Sequence, residues 1–144
     1  MFMKNLFVKL FLIIITAVIF AFSTVAWTQE VIVPPEVAPE LIKAVMCESI
    51  EGISPVNEAI VFSVELGRVL CFTEFDPVPQ QTVIYHRWYY RGVLISQKKL
   101  TIKPPRWASF SSMQLRDTDI GPWQVEITDA DGNILHTLRF SITE

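Results

Sequence analysis

The sequence predicts an all-β fold, an immunoglobulin-like antiparallel β-sandwich of seven or eight strands that follows an N-terminal signal or anchor helix. Short runs of β-branched and aromatic residues are separated by turn signals about every 8–12 residues, which is typical of sandwiches and barrels. No long segment keeps a helical period. The clearest local signals are two glycine-containing hairpin turns, at Arg91-Gly92 and Asp131-Gly132.

The predicted strands are bounded by glycine and proline. Gly67 marks a tight turn, Pro77 and Pro79 mark a loop, and Pro104-Pro105 ends a strand. The run Thr82–Tyr90 has aromatic side chains on both faces, which predicts a central strand buried on one side and covered on the other. In order, the strands are expected at residues 41–48, 59–64, 68–75, 82–90, 93–102, 107–115, 123–128 and 134–143.

The N-terminal segment has the layout of a secretory signal. Lys4 and Lys9 precede an apolar run over residues 10–22, and small residues up to Ala26 offer a cleavage site. A retained anchor over residues 10–27 is the alternative, because about 18 apolar residues begin to span a bilayer. The two lysines favour a cytoplasmic N-terminus in either case. We therefore expect an exported domain, periplasmic or at the cell envelope.

Composition divides the chain into three segments. Residues 1–26 form the signal or anchor, residues 27–40 an acidic, proline-rich linker, and residues 41–144 the β-sandwich domain. After residue 26, ten basic residues stand against fifteen acidic ones. Such a chain lacks the basic excess expected of a nucleic-acid-binding protein or a polybasic lipid anchor. Membrane contact is expected only through an uncleaved N-terminal segment.

Cys47 and Cys71 are the two cysteines of the chain. An even cysteine count in an exported protein predicts a disulfide between them. The alternative is two buried free thiols that pack as small apolar side chains. Two widely spaced cysteines and two distant histidines do not readily supply the closely spaced ligand pairs of a structural metal site, so neither a metal nor a cofactor is expected.

Four motifs occur in order between Cys47 and Phe140. They are RVLCFT at 68–73, HRWYY with a glycine at 86–92, PRW followed by SFSS at 105–112, and GPWQVE followed by DG and LRF at 121–140. Together they resemble a bacterial family catalogued as domain of unknown function 2914. The resemblance implies an extracytoplasmic β-sandwich module and carries no activity with it. Ala108 and Met113 stand where the family tends to have basic residues, so an anionic site built from those residues would be incomplete here.

An aromatic group provides the candidate binding site. If the strand at 82–90 lies near the strand at 107–115, five side chains could converge, where tryptophan and tyrosine would stack on sugars or anchor an interface and arginine would add hydrogen bonds. These residues are His86, Trp88, Tyr90, Arg106 and Trp107. The alternative for Trp88 is a place in the core, as in immunoglobulin-like folds, and for His86 a purely structural role.

The sequence predicts a binding protein rather than an enzyme. No nucleophile-elbow motif surrounds Ser109, Ser111 or Ser112, and the chain has no glycine-rich phosphate loop. The expected function is a non-catalytic interaction module for an envelope protein or a polysaccharide. One alternative is a structural spacer or assembly subunit of the envelope, with an exposed apolar patch. The other is a small hydrolase that uses His86, which requires a solvent-open cleft.

Overall fold

The computed structural model describes residues 36–144. The predicted signal or anchor and the first part of the predicted linker, residues 1–35, lie outside the described residues. Residues 36–40 have no regular secondary structure and lead into the first strand. No helix within residues 36–144 is long and apolar enough to cross a membrane.

The described chain is all-β, with nine strands and two short 3₁₀ turns, at Val64–Leu66 and Asp117–Asp119. The predicted count of seven or eight strands is too low by at least one, because a short hairpin partner of the first strand was not expected. The strands are β1 Leu41–Glu51, β2 Ser54–Glu58, β3 Val61–Ser63, β4 Arg68–Phe75, β5 Thr82–Tyr90, β6 Val93–Ile102, β7 Trp107–Gln114, β8 Gly121–Thr128 and β9 Ile134–Thr143.

The strands form two sheets. The four-stranded sheet has the order β2-β1-β4-β7, and the five-stranded sheet has the order β3-β9-β8-β5-β6. All paired strands are antiparallel except β3 and β9, which are parallel. The expected turn at Arg91-Gly92 joins β5 to β6, and both of its residues have positive φ, at 49° and 81°. These are the dihedrals that a two-residue hairpin turn requires.

The core lies between the sheets, where alternate residues of each strand point inward. One buried cluster joins Met46 and Cys71 of the four-stranded sheet to Trp88, Trp123 and other inward residues of the five-stranded sheet. A second cluster, with Phe75, Val78, Ile84, Ile102 and Ile127, fills a separate part of the core.

Alternation along β9 predicts that Ile134, His136, Leu138, Phe140 and Ile142 face the core, and this prediction is only partly correct. Phe140 and Ile142 are buried and Leu138 is half-buried, but Ile134 and His136 are exposed. The exposed residues lie next to the turn that joins β8 to β9, at the end of the strand. Alternation identifies the face of a residue, but the exposure of that residue also depends on whether the opposing sheet extends far enough to cover it.

The predicted disulfide is not present, and both cysteines are free and buried. On the paired strands β1 and β4, Met46 lies opposite Cys71, and Cys47 lies opposite Leu70. Because neighbouring residues of a strand point to opposite faces, this one-residue offset directs the thiols to opposite sides of the sheet. Cys71 packs in the core with Met46, and Cys47 packs on the outer side with Leu70 and Phe72.

Candidate functional site

A buried polar network links the two sheets through His86. The imidazole Nδ1 is 2.8 Å from Ser111 Oγ of β7, and Nε2 is 3.1 Å from Thr73 Oγ1 of β4. The indole Nε1 of Trp88 donates to Ser111 Oγ at 3.1 Å, and Thr73 Oγ1 donates to the Ser109 carbonyl at 3.4 Å. No buried side-chain nitrogen or oxygen in the described part of the chain lacks a partner.

The two ends of this network fix its direction. The indole of Trp88 can only donate and the Ser109 carbonyl can only accept. Thr73 uses its one hydroxyl proton on that carbonyl, so Nε2–H of His86 donates to Thr73. Burial disfavours a second proton on the imidazole, so Nδ1 is unprotonated and accepts from Ser111. A chain of hydrogen bonds that all run in one direction is cooperative, and each bond polarises the next.

Burial keeps His86 neutral and inaccessible. His86 and Trp88 are both 0 % exposed. Desolvation lowers the pKa of His86 from 6.5 to about 4. The hydrolase hypothesis requires a solvent-open cleft at His86, and this closed environment does not provide one. Neither residue presents a surface to a ligand in solvent. Trp88 is therefore a core residue and His86 has a structural role, which are the alternatives given for them above.

Tyr90 is half-buried and packs against Trp123, with ring centroids 4.9 Å apart. Its hydroxyl donates to the Ile120 carbonyl at 2.7 Å and accepts from Nε of Arg91 at 3.0 Å. The guanidinium of Arg91 also lies over the Tyr90 ring, 5.3 Å from its centroid. Tyr90 therefore anchors the end of β5.

Arg106 and Trp107 lie elsewhere. Arg106 is exposed and forms an ion pair with Glu74 at 2.5 Å. Trp107 is half-buried and packs against the second core cluster. The centroid of its ring lies 5.7 Å from Nζ of Lys103. Tyr90 packs against the first cluster instead. The five predicted residues therefore divide between the core and two separate parts of the surface.

The other face of β5 points to solvent and forms a continuous array with β8 and β9. We call it the tyrosine face. One row across the strands is Tyr89, Gln124 and Arg139, and the next row contains Arg87 and Glu126. The face comprises these five residues and Tyr85. Arg139 is exposed and the other five are half-buried.

Side-chain hydrogen bonds hold the tyrosine face in order. The hydroxyl of Tyr89 donates to Glu126 at 2.9 Å, and Gln124 donates to the same carboxylate at 3.1 Å. Arg87 donates to Gln97 of β6 at 3.0 Å. Desolvation and the bond to Glu126 raise the pKa of Tyr89, so its hydroxyl remains a donor at neutral pH. Locked side chains lose less entropy when a ligand binds.

A shallow groove of about 450 Å³ opens at one margin of the tyrosine face. Gln124 and Arg139 line both the face and the groove, and Arg91 contributes a second guanidinium. Ile60 and Val61 form part of its wall. Two arginines in one groove favour an anionic group on a ligand.

Sequence reasoning chose the opposite face of β5 because it gave most weight to the tryptophan. A one-residue shift along a strand exchanges one face for the other. A large aromatic residue on a central strand belongs in the core more often than at the surface. That preference, applied to Trp88, would have identified Tyr85, Arg87 and Tyr89 as the outward residues.

The model of one protein family, described as "Protein of unknown function (DUF2914)", matches residues 81–142. This part of the chain is similar to the DUF2914 family. The match confirms the predicted resemblance, although it excludes the RVLCFT motif of β4. No curated protein matches the chain. The residues matched to DUF2914 include the whole tyrosine face, His86 and Ser111, but neither cysteine.

Proposed function

We propose that this domain is a non-catalytic module that binds a polysaccharide outside the cytoplasm through its tyrosine face. The observation that carries the proposal is the ordered row Tyr89-Gln124-Arg139, on a sheet face that no other element of residues 36–144 covers. Tyrosine rings stack on sugar rings, and amide, carboxylate and guanidinium groups bond the hydroxyls. The groove beside Arg91 and Arg139 suits a sugar that carries a carboxylate or phosphate.

The chemistry of the face favours a polysaccharide over an envelope protein. Protein interfaces have an apolar, fully buried centre. The strongly exposed aliphatic residues of the described chain lie outside the tyrosine face: Leu94 borders it opposite Tyr89, and Ile60 and Val61 line the groove at its margin. A flat polar surface with aromatic rings matches an extended sugar chain better.

We infer that the scaffold is an immunoglobulin-like sandwich. Three features support this finer assignment. The order β3-β9-β8-β5-β6 contains the parallel pairing of an early strand with the last strand, β5 carries a buried tryptophan, and β4 and β7 pair in the opposite sheet. Cys71 lies on β4, beside the core that Trp88 fills.

The extracytoplasmic location in this proposal rests on the N-terminal sequence. Lys4 and Lys9 followed by the apolar run at 10–22 predict export. Whether residues 1–26 are removed decides between a free periplasmic protein and one held at the membrane. Mass spectrometry of the protein from the envelope fraction distinguishes the two, because a cleaved chain begins at or near Trp27.

The test is binding of full-length protein to alginate, an anionic polysaccharide, and to dextran, a neutral one, by affinity electrophoresis. We expect retardation by alginate and little by dextran. The Tyr85→Ala/Tyr89→Ala variant should lose the retardation, because it removes both rings. Tyr89→Phe should keep most of it.

The control is Arg106→Ala/Trp107→Ala, which removes one cationic and one aromatic side chain from the sequence-predicted site. It should bind as the unmodified protein does. Loss of binding in this variant alone would assign the site to Arg106 and Trp107 instead. Equal binding by all variants that remain folded would reject the tyrosine face.

A structural or assembly role is a second candidate. Three consecutive residues at the start of β6, Val93, Leu94 and Ile95, are 63 %, 46 % and 48 % exposed. Such a patch is expected in a subunit that associates through a sheet edge. Light scattering of the full-length protein at micromolar concentration tests this role, and a monomer would count against it.

A further inference from the structure

The edge strand β6 offers an unpaired backbone. It is the last strand of the five-stranded sheet and pairs only with β5 among the described strands. Its outer side therefore presents a row of N–H and C=O groups, and such a row can accept another strand.

The edge has two parts. From Ser96 to Ile102, β6 pairs with β5 without interruption, so this part has regular strand geometry. A bulge follows, in which Ile95 is the additional residue between Leu94 and Ser96. The exposed aliphatic side chains lie at this bulged end, beside the regular part.

The edge is also strongly basic. Residues 82–106 contain no aspartate or glutamate, in a chain whose formal net charge is −3. They contain Arg87, Arg91, Lys98, Lys99, Lys103 and Arg106. The positive charge of an otherwise acidic protein is thus concentrated on the β5–β6 hairpin and the segment that follows it.

The two lysines of β6 lie on opposite faces of the sheet. Lys98 is opposite His86, whose side chain points inward, and Lys99 is opposite Tyr85, whose side chain points outward. Both lysines are exposed. A strand added to β6 would therefore have one ammonium group on each face, and two adjacent acidic residues of that strand would reach both.

We propose that β6 binds an extended acidic segment of a partner polypeptide by strand addition. In the antiparallel orientation, two adjacent acidic residues of the segment lie opposite Lys98 and Lys99, and apolar residues lie opposite Val93, Leu94 and Ile95. The free backbone selects a polypeptide, since a polysaccharide has no matching row of amides. A second copy of β6 is a poorer partner because it brings two more lysines and no acid. The inference does not depend on the tyrosine face.

The probe is a synthetic peptide, Thr-Glu-Glu-Thr-Thr-Val-Ile-Val-Thr, with both termini blocked. We would titrate it into full-length protein and follow backbone amide resonances and amide exchange. We expect the largest shifts and new protection at alternate residues within Ser96–Thr101, because only the amides that point away from β5 would gain partners. A peptide with both glutamates replaced by lysine should bind at least about tenfold more weakly, as charge complementarity reverses.

The protein variant is Lys98→Glu/Lys99→Glu, which should lose at least about tenfold in affinity for the glutamate peptide and regain affinity for the lysine peptide. The matched control is Lys43→Glu/Arg68→Glu, with the same charge change in the other sheet. It should bind the glutamate peptide as the unmodified protein does.

Three results would overturn the proposal. One is equal loss in the two charge-reversed variants, which reports general charge rather than this edge. Another is peptide binding with shifts confined to the tyrosine face. The last is self-association of the protein through β6 in the absence of peptide, detected by sedimentation and removed by Ile95→Lys, which would make the edge an interface between copies.

Discussion

Nδ1 of His86 lies 2.8 Å from Oγ of Ser111, and this buried contact joins the two sheets. It belongs to a chain of hydrogen bonds that begins at the Trp88 indole and ends at a backbone carbonyl. A buried polar network of this kind is favourable only while every member has its partner.

Acid should weaken the fold through His86. Its pKa is about 4 in the folded protein, below the ordinary value of 6.5, so the unfolded chain binds the proton more readily. The resulting stability is complete above pH 6.5 and is lost as the pH falls towards 4. The loss should amount to about 3 kcal/mol in the free energy of unfolding, measured by urea denaturation across this range.

The comparison of two histidine variants isolates this contribution. His86→Gln should flatten the pH dependence between 6.5 and 4, whereas His136→Gln, at an exposed side chain, should retain it. A titration of the unmodified protein by imidazole resonances provides a second measurement if His86→Gln does not fold. A His86 resonance that titrates near pH 6.5 would contradict the buried neutral imidazole.

Ser111→Ala should destabilise the protein strongly, although it removes only one hydroxyl group. It leaves Trp88 Nε1 and His86 Nδ1 without partners in the core, and each unsatisfied buried group costs about 1–3 kcal/mol. Ser112→Ala is the matched control, because the neighbouring residue faces the other side of the sheet and forms no side-chain hydrogen bond in the described structure. Similar urea midpoints for the two variants would mean that the network contributes little.

The fold was largely predictable because its signals are local. The turn at Arg91-Gly92, the proline-rich breaks and the alternation within Thr82–Tyr90 all act over a few residues. The hairpin partner β2 was missed because Ser54–Glu58 includes a proline and three polar residues, a composition typical of a loop. Its pairing with β1 depends on the turn at Gly52, whose φ is 62°.

The candidate site and the cysteine pairing were less predictable because both depend on register between strands. Either face of β5 has aromatic residues, so composition does not identify the outward one. Likewise, the count of two cysteines does not reveal that Cys47 and Cys71 lie one position out of register on β1 and β4. Such offsets are fixed by partners distant in sequence.

Both thiols should remain free and unreactive in the folded protein. Burial raises the pKa of Cys47 and of Cys71, which disfavours the reactive thiolate. We expect slow reaction with Ellman's reagent in buffer, rapid reaction of both thiols in guanidinium chloride, and an unchanged thermal midpoint after reduction. A lower midpoint in reductant would show that a disulfide forms after all.

The stability of the turn between β8 and β9 should depend on the side chain of Asp129 and not on that of Asp131. The Asp129 carboxylate accepts from the backbone N–H of Asp131 and Asn133 and from the Asn133 side chain, each at 2.8–2.9 Å. The Asn133 amide in particular lowers the pKa of Asp129, so the charged form stabilises the turn and its contribution is lost as acid protonates it.

Asp129→Ala should lower the thermal midpoint at neutral pH, whereas Asp131→Ala, which removes no such acceptor, should leave it nearly unchanged. Differential scanning calorimetry of both variants measures the difference, and equal midpoints would show that Gly132, with φ 88°, and the backbone hold the turn without the carboxylate.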